Sequence, residues 1–175
     1  MPGAYTLWIS NNLAEKIRAH GAETYPHECC GALLGRDRDE MDNSGSEAPV
    51  GSSAKGIREV LELFPLVNRR DDSPRNRFSV TSEDVMSAEK AAREQNLEVV
   101  GWYHSHPDHP ARPSEFDRDH AWPWYSYIIV SVQNGAPQNM TSWRLNDDRA
   151  EFSPEGIEIR HRAAVQVGGS SRTEN

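Results

Sequence analysis

The chain has 175 residues, of which 36% are hydrophobic and 26% are charged, and its formal net charge is -8. This length suits one globular domain with a sizeable core, and no apolar run approaches the roughly 20 residues needed to cross a membrane. The acidic charge argues against a nucleic-acid partner, because such proteins normally present basic surfaces to phosphates. The first residues contain no basic stretch followed by an apolar one, so we expect a cytoplasmic protein.

The two cysteines, Cys29 and Cys30, are adjacent in the sequence. Adjacent cysteines rarely pair, because a disulfide requires Cα atoms about 5.5 Å apart. We therefore expect no disulfide framework within the chain, which is consistent with a reducing compartment. The Cys-x-x-Cys pairs of zinc ribbons and of zinc-dependent deaminases are also absent.

The first half of the chain predicts strands around one early helix and then a long loop. Ser10 or Asn11 can cap that helix. Residues 36–56 are rich in Ser, Asp, Gly and Pro and predict a mobile loop. The predicted elements are, in chain order, a strand over 7–9, a helix over about 12–23, a strand over 30–34 and a strand over 57–64.

The second half predicts one more long helix and most of the remaining strands. Thr81 or Ser82 can cap the helix, and acidic residues follow in its first turn. The predicted elements are a strand over 77–80, a helix over about 83–95, strands over 97–103 and 127–132, and weaker strands over about 141–145 and 157–161. We expect residues 168–175 to form a disordered tail.

Helices and strands alternate too irregularly for a repeated βαβ fold. We therefore expect a single α+β or mixed α/β domain over residues 1–167. Its central sheet is expected to be mixed or mostly antiparallel and flanked by helices.

Two histidines at the end of a predicted strand are the first candidates for chemistry. His104 and His106 are two residues apart, so their side chains point to the same face of the strand. A proline-rich loop follows, and Ser114 then begins a predicted helix with Asp117 in its first turn. Two histidines and one carboxylate can hold a catalytic zinc ion with a fourth position for water.

The spacing of these residues resembles the signature of the JAMM/MPN family of zinc metallopeptidases. That signature is His, one residue, His, seven residues, Ser, two residues and Asp, and it matches His104, His106, Ser114 and Asp117. The segment from Pro26 to Gly35 also resembles the family's upstream segment, with Glu28 as its glutamate. The resemblance extends over about residues 7–159 and implies an MPN domain of cytidine-deaminase-like architecture.

The resemblance implies a role for each of these residues. His104, His106 and Asp117 would bind one Zn²⁺ per chain, and the metal would lower the pKa of its water to about 7. Glu28 would take the proton from that water and pass it to the leaving amine. Ser114 would donate a hydrogen bond to the oxyanion that develops on the scissile carbonyl.

The resemblance also implies a substrate class. Because the chain shows no long C-terminal helices of the kind that join a large complex, it is similar to the stand-alone prokaryotic members. Members of that type act on ubiquitin-fold sulfur carrier proteins that end in Gly-Gly. We therefore expect hydrolysis of a peptide or isopeptide bond after that terminus, with a carrier protein as partner and no role for nucleic acid or membrane.

Two other functions stay open on the sequence alone. A RadC-like protein resembles this chain in its metal motif and is associated with DNA, but the acidic charge argues against it. A non-catalytic MPN module that only binds partners is the other alternative. The complete set of five site residues argues against that module.

Other side chains could also belong to a site. His109 and His120 are rival candidates for metal ligands. For both, the favoured interpretation is contact with a metal-binding residue or exposure to solvent. The thiols of Cys29 and Cys30 could bind metal or act as nucleophiles, but no partner base is identifiable, and a buried strand position is the better interpretation for Cys30. A cluster of aromatic residues could line a groove for a peptide, although packing in the core is favoured: Trp122, Trp124, Tyr125 and Tyr127.

Overall fold

The computed structural model describes residues 5–39, 56–67 and 79–161. It contains seven strands and three helices in these ranges. In chain order they are β1 (Thr6–Ser10), α1 (Asn11–Thr24), β2 (Cys30–Asp39), β3 (Gly56–Leu66), α2 (Ser82–Glu94), β4 (Glu98–Pro107), α3 (Glu115–His120), β5 (Ser126–Gln133), β6 (Ala136–Leu145) and β7 (Phe152–Arg160).

The strands form one mixed sheet that closes on itself. The strand order is β1-β3-β2-β4-β5-β6-β7, and β7 pairs in parallel with β1 to complete the ring. Three neighbouring pairs are parallel, and the other four are antiparallel. The predicted α+β domain with a mixed, mostly antiparallel sheet is therefore confirmed, whereas the closure of the sheet was not predicted.

Two apolar clusters cover the two faces of the sheet. The larger cluster joins helix α1 to side chains from six strands, including Leu33 of β2, Tyr103 of β4 and Val130 of β5. The smaller cluster packs helix α2 against the other face of β2 and β4, where Ala88 contacts the group that includes Trp102. Helix α1 thus faces the side enclosed by the ring, and helix α2 covers part of the outside.

Local sequence explains where the two long helices begin. The Ser10 side chain accepts a hydrogen bond from Leu13 N at 3.2 Å and caps α1. At α2, the Thr81 side chain accepts from Asp84 N at 3.1 Å, and the Asp84 carboxylate accepts from Thr81 N at 2.9 Å. This reciprocal pair is a capping box, so Ser10 and Thr81 are the caps among the predicted alternatives.

The predicted loop over residues 36–56 needs correction at both ends. Strand β2 continues to Asp39, and β3 begins at Gly56. The polar composition suggested a loop, but these residues extend a hairpin in which the Arg58 guanidinium binds both carboxylate oxygens of Asp37, at 2.8 and 2.9 Å. Residues 40–55 lie outside the described residues, as does the predicted tail over 168–175.

The predicted strand over residues 77–80 is not found where it can be checked. Ser79 and Val80 belong to no strand, and residues 77 and 78 lie outside the described residues. Within the described ranges, no helix has the length and apolar character needed to cross a bilayer.

A close approach between β4 and β5 explains one glycine next to the histidine pair. Gly101 lies opposite Ser126 in the parallel ladder. A Cβ atom at this position would clash with the Ser126 carbonyl oxygen, so the backbones can approach this closely only with glycine. The strand that carries the histidines is therefore held tightly against its neighbour.

Candidate metal centre

The candidate site lies at the carboxyl end of strand β4, on the outer face of the sheet. Tyr103 and Ser105 point inward and are 1% and 0% exposed. The side chains alternate along the strand, so His104 and His106 point outward together. Helix α3 covers them and contributes Asp117, and the three side chains are 12%, 11% and 14% exposed.

The potential ligand atoms of these three residues converge on one point. The Nε2 atoms of His104 and His106 are 3.0 Å apart. Each Nε2 lies 3.2 Å from a different carboxylate oxygen of Asp117. Two ligands of one tetrahedral zinc, each about 2.0–2.1 Å from the metal, lie roughly 3.3 Å apart. The observed distances therefore fit a zinc-sized ion held by His104, His106 and Asp117.

A backbone carbonyl sets the orientation of the His106 ring. The Nδ1 atom of His106 lies 2.9 Å from the Pro110 carbonyl oxygen, to which it donates a hydrogen bond. In the neutral ring this leaves the lone pair on Nε2, which faces Asp117 and His104. Lone pairs and a carboxylate that meet at such distances repel one another unless a proton or a cation lies between them, so the donor set suits a metal ion.

The first turn of helix α3 fixes the Asp117 carboxylate. Ser114 Oγ accepts a hydrogen bond from Asp117 N at 3.1 Å, and Asp117 Oδ2 accepts one from Ser114 N at 2.8 Å. Burial by itself would raise the pKa of Asp117. Its interactions with His104 and His106 and the hydrogen bond from Ser114 N outweigh burial and hold this pKa well below its usual value. Asp117 is therefore an anion at neutral pH.

Glu28 lies in the same cleft, although it is distant in the sequence. Its side chain is buried, with 7% exposure, and it lines a cleft together with His106, Ser114 and Asp117. The pairing of β2 with β4 brings it there, because Cys30 lies opposite His104 in the antiparallel ladder. The structure thus gathers all five predicted site residues around one end of β4.

Three further hydrogen bonds hold the Glu28 segment against β4 and against the residue that follows it. Cys29 N donates to Ser105 Oγ at 2.8 Å, and Ser105 N donates to the Cys29 carbonyl at 3.2 Å. On the outside, the Tyr25 hydroxyl donates to Asp108 Oδ2 at 2.7 Å. None of these contacts was predicted from the sequence. The only signal for Ser105 is its position between the two histidines, and no local pattern relates Tyr25 to Asp108.

The rival ligands do not join the group of potential metal-binding atoms. His120 donates from Nδ1 to the Phe116 carbonyl at 2.8 Å and stacks on the Phe116 ring, so its own helix holds it. His109 is exposed and lines the cleft without joining the group of ligand atoms. Both cysteines are buried. Burial raises the pKa of the Cys29 thiol to about 11 and that of Cys30 well above its usual value, so neither is a ready nucleophile.

The aromatic cluster after helix α3 divides between core and surface. Tyr125 and Tyr127 pack against the outer apolar cluster, as predicted for core residues. Trp122 and Trp124 do not, since they are 49% and 56% exposed and stack on each other with ring centroids 5.1 Å apart. The Arg149 guanidinium lies over the Trp122 ring at 4.8 Å, and this contact covers part of the exposed pair.

Comparison with known proteins places this arrangement in a family. Residues 10–146 match the family described as prokaryotic homologs of the JAB domain. The chain is 31% identical to a desampylase from Haloferax volcanii over 130 residues, which cover 71% of this chain and 80% of that protein. It is 30% identical to a probable TtuB-protein conjugate cleaving protease from Thermus thermophilus over 161 residues, or 90% of this chain and 85% of that protein.

A solved structure is also similar to this chain in fold. The solution structure of a protein from Salinibacter ruber is 37% identical to this chain and superposes with a TM-score of 0.61. It covers 97% of this chain, and the match spans 96% of that protein. The chain therefore belongs to the JAMM/MPN family, among the prokaryotic homologs of the JAB domain.

Proposed function

We propose that this protein is an isopeptidase-type hydrolase that cleaves the bond after the C-terminal Gly-Gly of a ubiquitin-fold protein. One observation carries the proposal: His104, His106 and Asp117 meet on one face of β4, and Glu28 lines the same cleft. The relatives support it, because one is named as a desampylase and another as a protease that cleaves protein conjugates.

The reaction consumes one water molecule and breaks one amide bond. A zinc ion held by His104, His106 and Asp117 would act as a Lewis acid and lower the pKa of water to about 7. Glu28 is assigned the transfer of a proton to the amine that leaves when the C–N bond breaks. The oxygen of the water ends in the new carboxylate of the carrier, so atoms and charges balance without any redox partner.

Ser114 is assigned the stabilisation of negative charge on the scissile carbonyl oxygen. Its Oγ already accepts a hydrogen bond from Asp117 N at 3.1 Å. A hydroxyl can accept one bond and donate another, so capping the helix leaves the Ser114 hydrogen available. A donor placed at the developing oxyanion is worth about 10²–10³ in kcat in other hydrolases.

The shape of the substrate follows from the position of the site. A folded ubiquitin-like body cannot enter a cleft at the end of a strand, but an extended tail can reach it. Glycines have no side chains, so a Gly-Gly tail can pass where larger residues would clash. Such a tail can also pair with backbone groups beside the site without demanding a particular sequence.

A carrier protein with one amino acid attached after its Gly-Gly terminus tests the proposal. Mass spectrometry should show release of that amino acid by the wild-type enzyme with zinc. A carrier that ends in Ala-Ala before the same amino acid should be inert, and unfolded casein should be cut poorly. Equal turnover of casein and the Gly-Gly adduct would indicate a general peptidase and refute this substrate class.

A further inference from the structure

The loop between β4 and α3 forms one wall of the catalytic cleft and is firmly anchored. Pro107 ends β4, and the loop after it contains Pro110 and Pro113, so the φ angles at these three positions are fixed. The carbonyls of the loop are held from several sides: Ser131 Oγ donates to His109 O at 2.6 Å, and Thr141 Oγ1 donates to Ala111 O at 2.7 Å. Ala111 is 2% exposed. The side chains that this loop presents therefore start from a rigid backbone.

One of these side chains is a cation with no partner in the part of the chain that the structure describes. Arg112 lines the cleft together with Glu28 and His106. Within the described residues, its side chain makes no hydrogen bond and no ion pair, and neighbouring Glu115 does not bind it. Arg112 is an exposed residue, and its guanidinium offers five N–H donors in a planar fork that suits a carboxylate. Arg112 can therefore bind an anion that enters the cleft.

Arg112 is also close to the reacting groups. The Pro110 carbonyl accepts from His106 Nδ1 at 2.9 Å and from Arg112 N at 2.8 Å. The backbone of Arg112 is therefore separated from a metal-binding ring by one carbonyl group. Because the chain carries a net charge of -8 and Glu28, Glu115 and Asp117 line the cleft, an anionic leaving group needs such a local cation.

We propose that Arg112 binds the α-carboxylate of the amino acid that leaves the carrier. This inference rests on the proposed function and specifies its substrate. When the scissile bond is a peptide bond to a terminal amino acid, the leaving nitrogen is attached to a carbon that bears a free carboxylate. When it is an isopeptide bond to a lysine side chain of a protein, no carboxylate is near the leaving nitrogen. Arg112 therefore favours carrier adducts of single amino acids, whereas lysine conjugates are cleaved without help from its guanidinium.

Three substrates that share one ubiquitin-fold carrier test this preference. The first carries alanine after Gly-Gly, the second carries alanine amide, and the third is joined through an isopeptide bond to a lysine of a second protein. The wild-type enzyme should have a kcat/KM about 10- to 100-fold higher for the acid than for the amide. Arg112→Gln should remove that preference, mainly by raising KM for the acid, and should leave the amide and the isopeptide substrate unchanged.

Control variants separate carboxylate binding from a general effect. Arg112→Lys should retain part of the preference, because it keeps the charge and loses the fork. Arg93→Gln, at the exposed end of α2, should behave as wild type. An equal loss on all three substrates in Arg112→Gln, or equal wild-type rates on the acid and the amide, would overturn the inference and leave the proposed function intact. Failure of the wild-type enzyme on all three would refute the proposed function and the inference with it.

Discussion

Replacing Ser105 with alanine tests how the two halves of the site are held together. Ser105 is fully buried between His104 and His106, and its hydroxyl accepts the N–H of Cys29 at 2.8 Å. In Ser105→Ala, that N–H is left in the interior without this partner, which costs about 1–3 kcal/mol of unfolding free energy. For a chain of this size, each kcal/mol lowers Tm by about 2–4 °C, so we expect a decrease of roughly 2–12 °C.

The same substitution should also reduce turnover, because Cys29 adjoins Glu28. A displacement of about 1 Å at a reacting group can cost up to about 10²-fold in rate. Ser142→Ala is the matched control, since Ser142 is a buried serine of β6 that donates to Glu155 at 2.8 Å, away from the cleft. We expect this control to lower Tm while kcat stays near wild type. Equal changes in kcat for Ser105→Ala and Ser142→Ala, measured with the carrier adduct, would show that the contact between Ser105 and Cys29 does not position Glu28.

Four further predictions concern the groups of the site. His106→Ala should lose bound zinc and activity together, as measured by metal analysis and by turnover. Glu28→Gln should keep zinc and fold while turnover falls about 10²–10⁴-fold, and near-normal turnover would assign the proton transfer to another group. Ser114→Ala should lower kcat by about 10²–10³ with little change in KM, whereas a loss of only about 1 kcal/mol of stability would leave it as a helix cap. Burial raises the pKa of Cys29 to about 11, whereas the unfolded thiol ionises near pH 8.5. Between these pH values the folded state retains a proton that the unfolded chain releases. Denaturant unfolding should therefore show that the free energy of unfolding falls as pH rises through this range.

The elements of the fold could be predicted where the signal is local. Alternating apolar residues and a capping side chain are properties of short segments, and they located both long helices to within about one residue of their observed starts. The extension of β2 to Asp39 was not predicted, because Arg36 and its neighbours have the composition of a loop when they are considered alone. Their strand conformation depends on a partner strand and on Arg58, whose guanidinium reaches Asp37 across the hairpin. Composition cannot reveal such a pairing.

The closed sheet could not be predicted for a related reason. Closure requires β1, at the start of the described chain, to pair in parallel with β7 at its end, with Thr6 opposite Gly156. Both strands have short, weakly alternating sequences that would fit an open sheet equally well. Whether the sheet closes depends on which strands become neighbours, and neither segment specifies its neighbour by itself.

The site itself combines a local pattern with a contact between distant segments. The spacing from His104 to Asp117 is short, so a strand end followed by a helix start almost determines that these residues meet. Glu28 belongs to another segment, and only the β2–β4 register, with Cys30 opposite His104, brings it to them. Resemblance to a family suggested Glu28, but the contacts of Ser105 with Cys29 and of Tyr25 with Asp108 supply the physical reason. Those two contacts fasten the Glu28 segment to β4 and to the residue after it, on either side of His106. Changes there should therefore alter catalysis without removing any group that takes part in it.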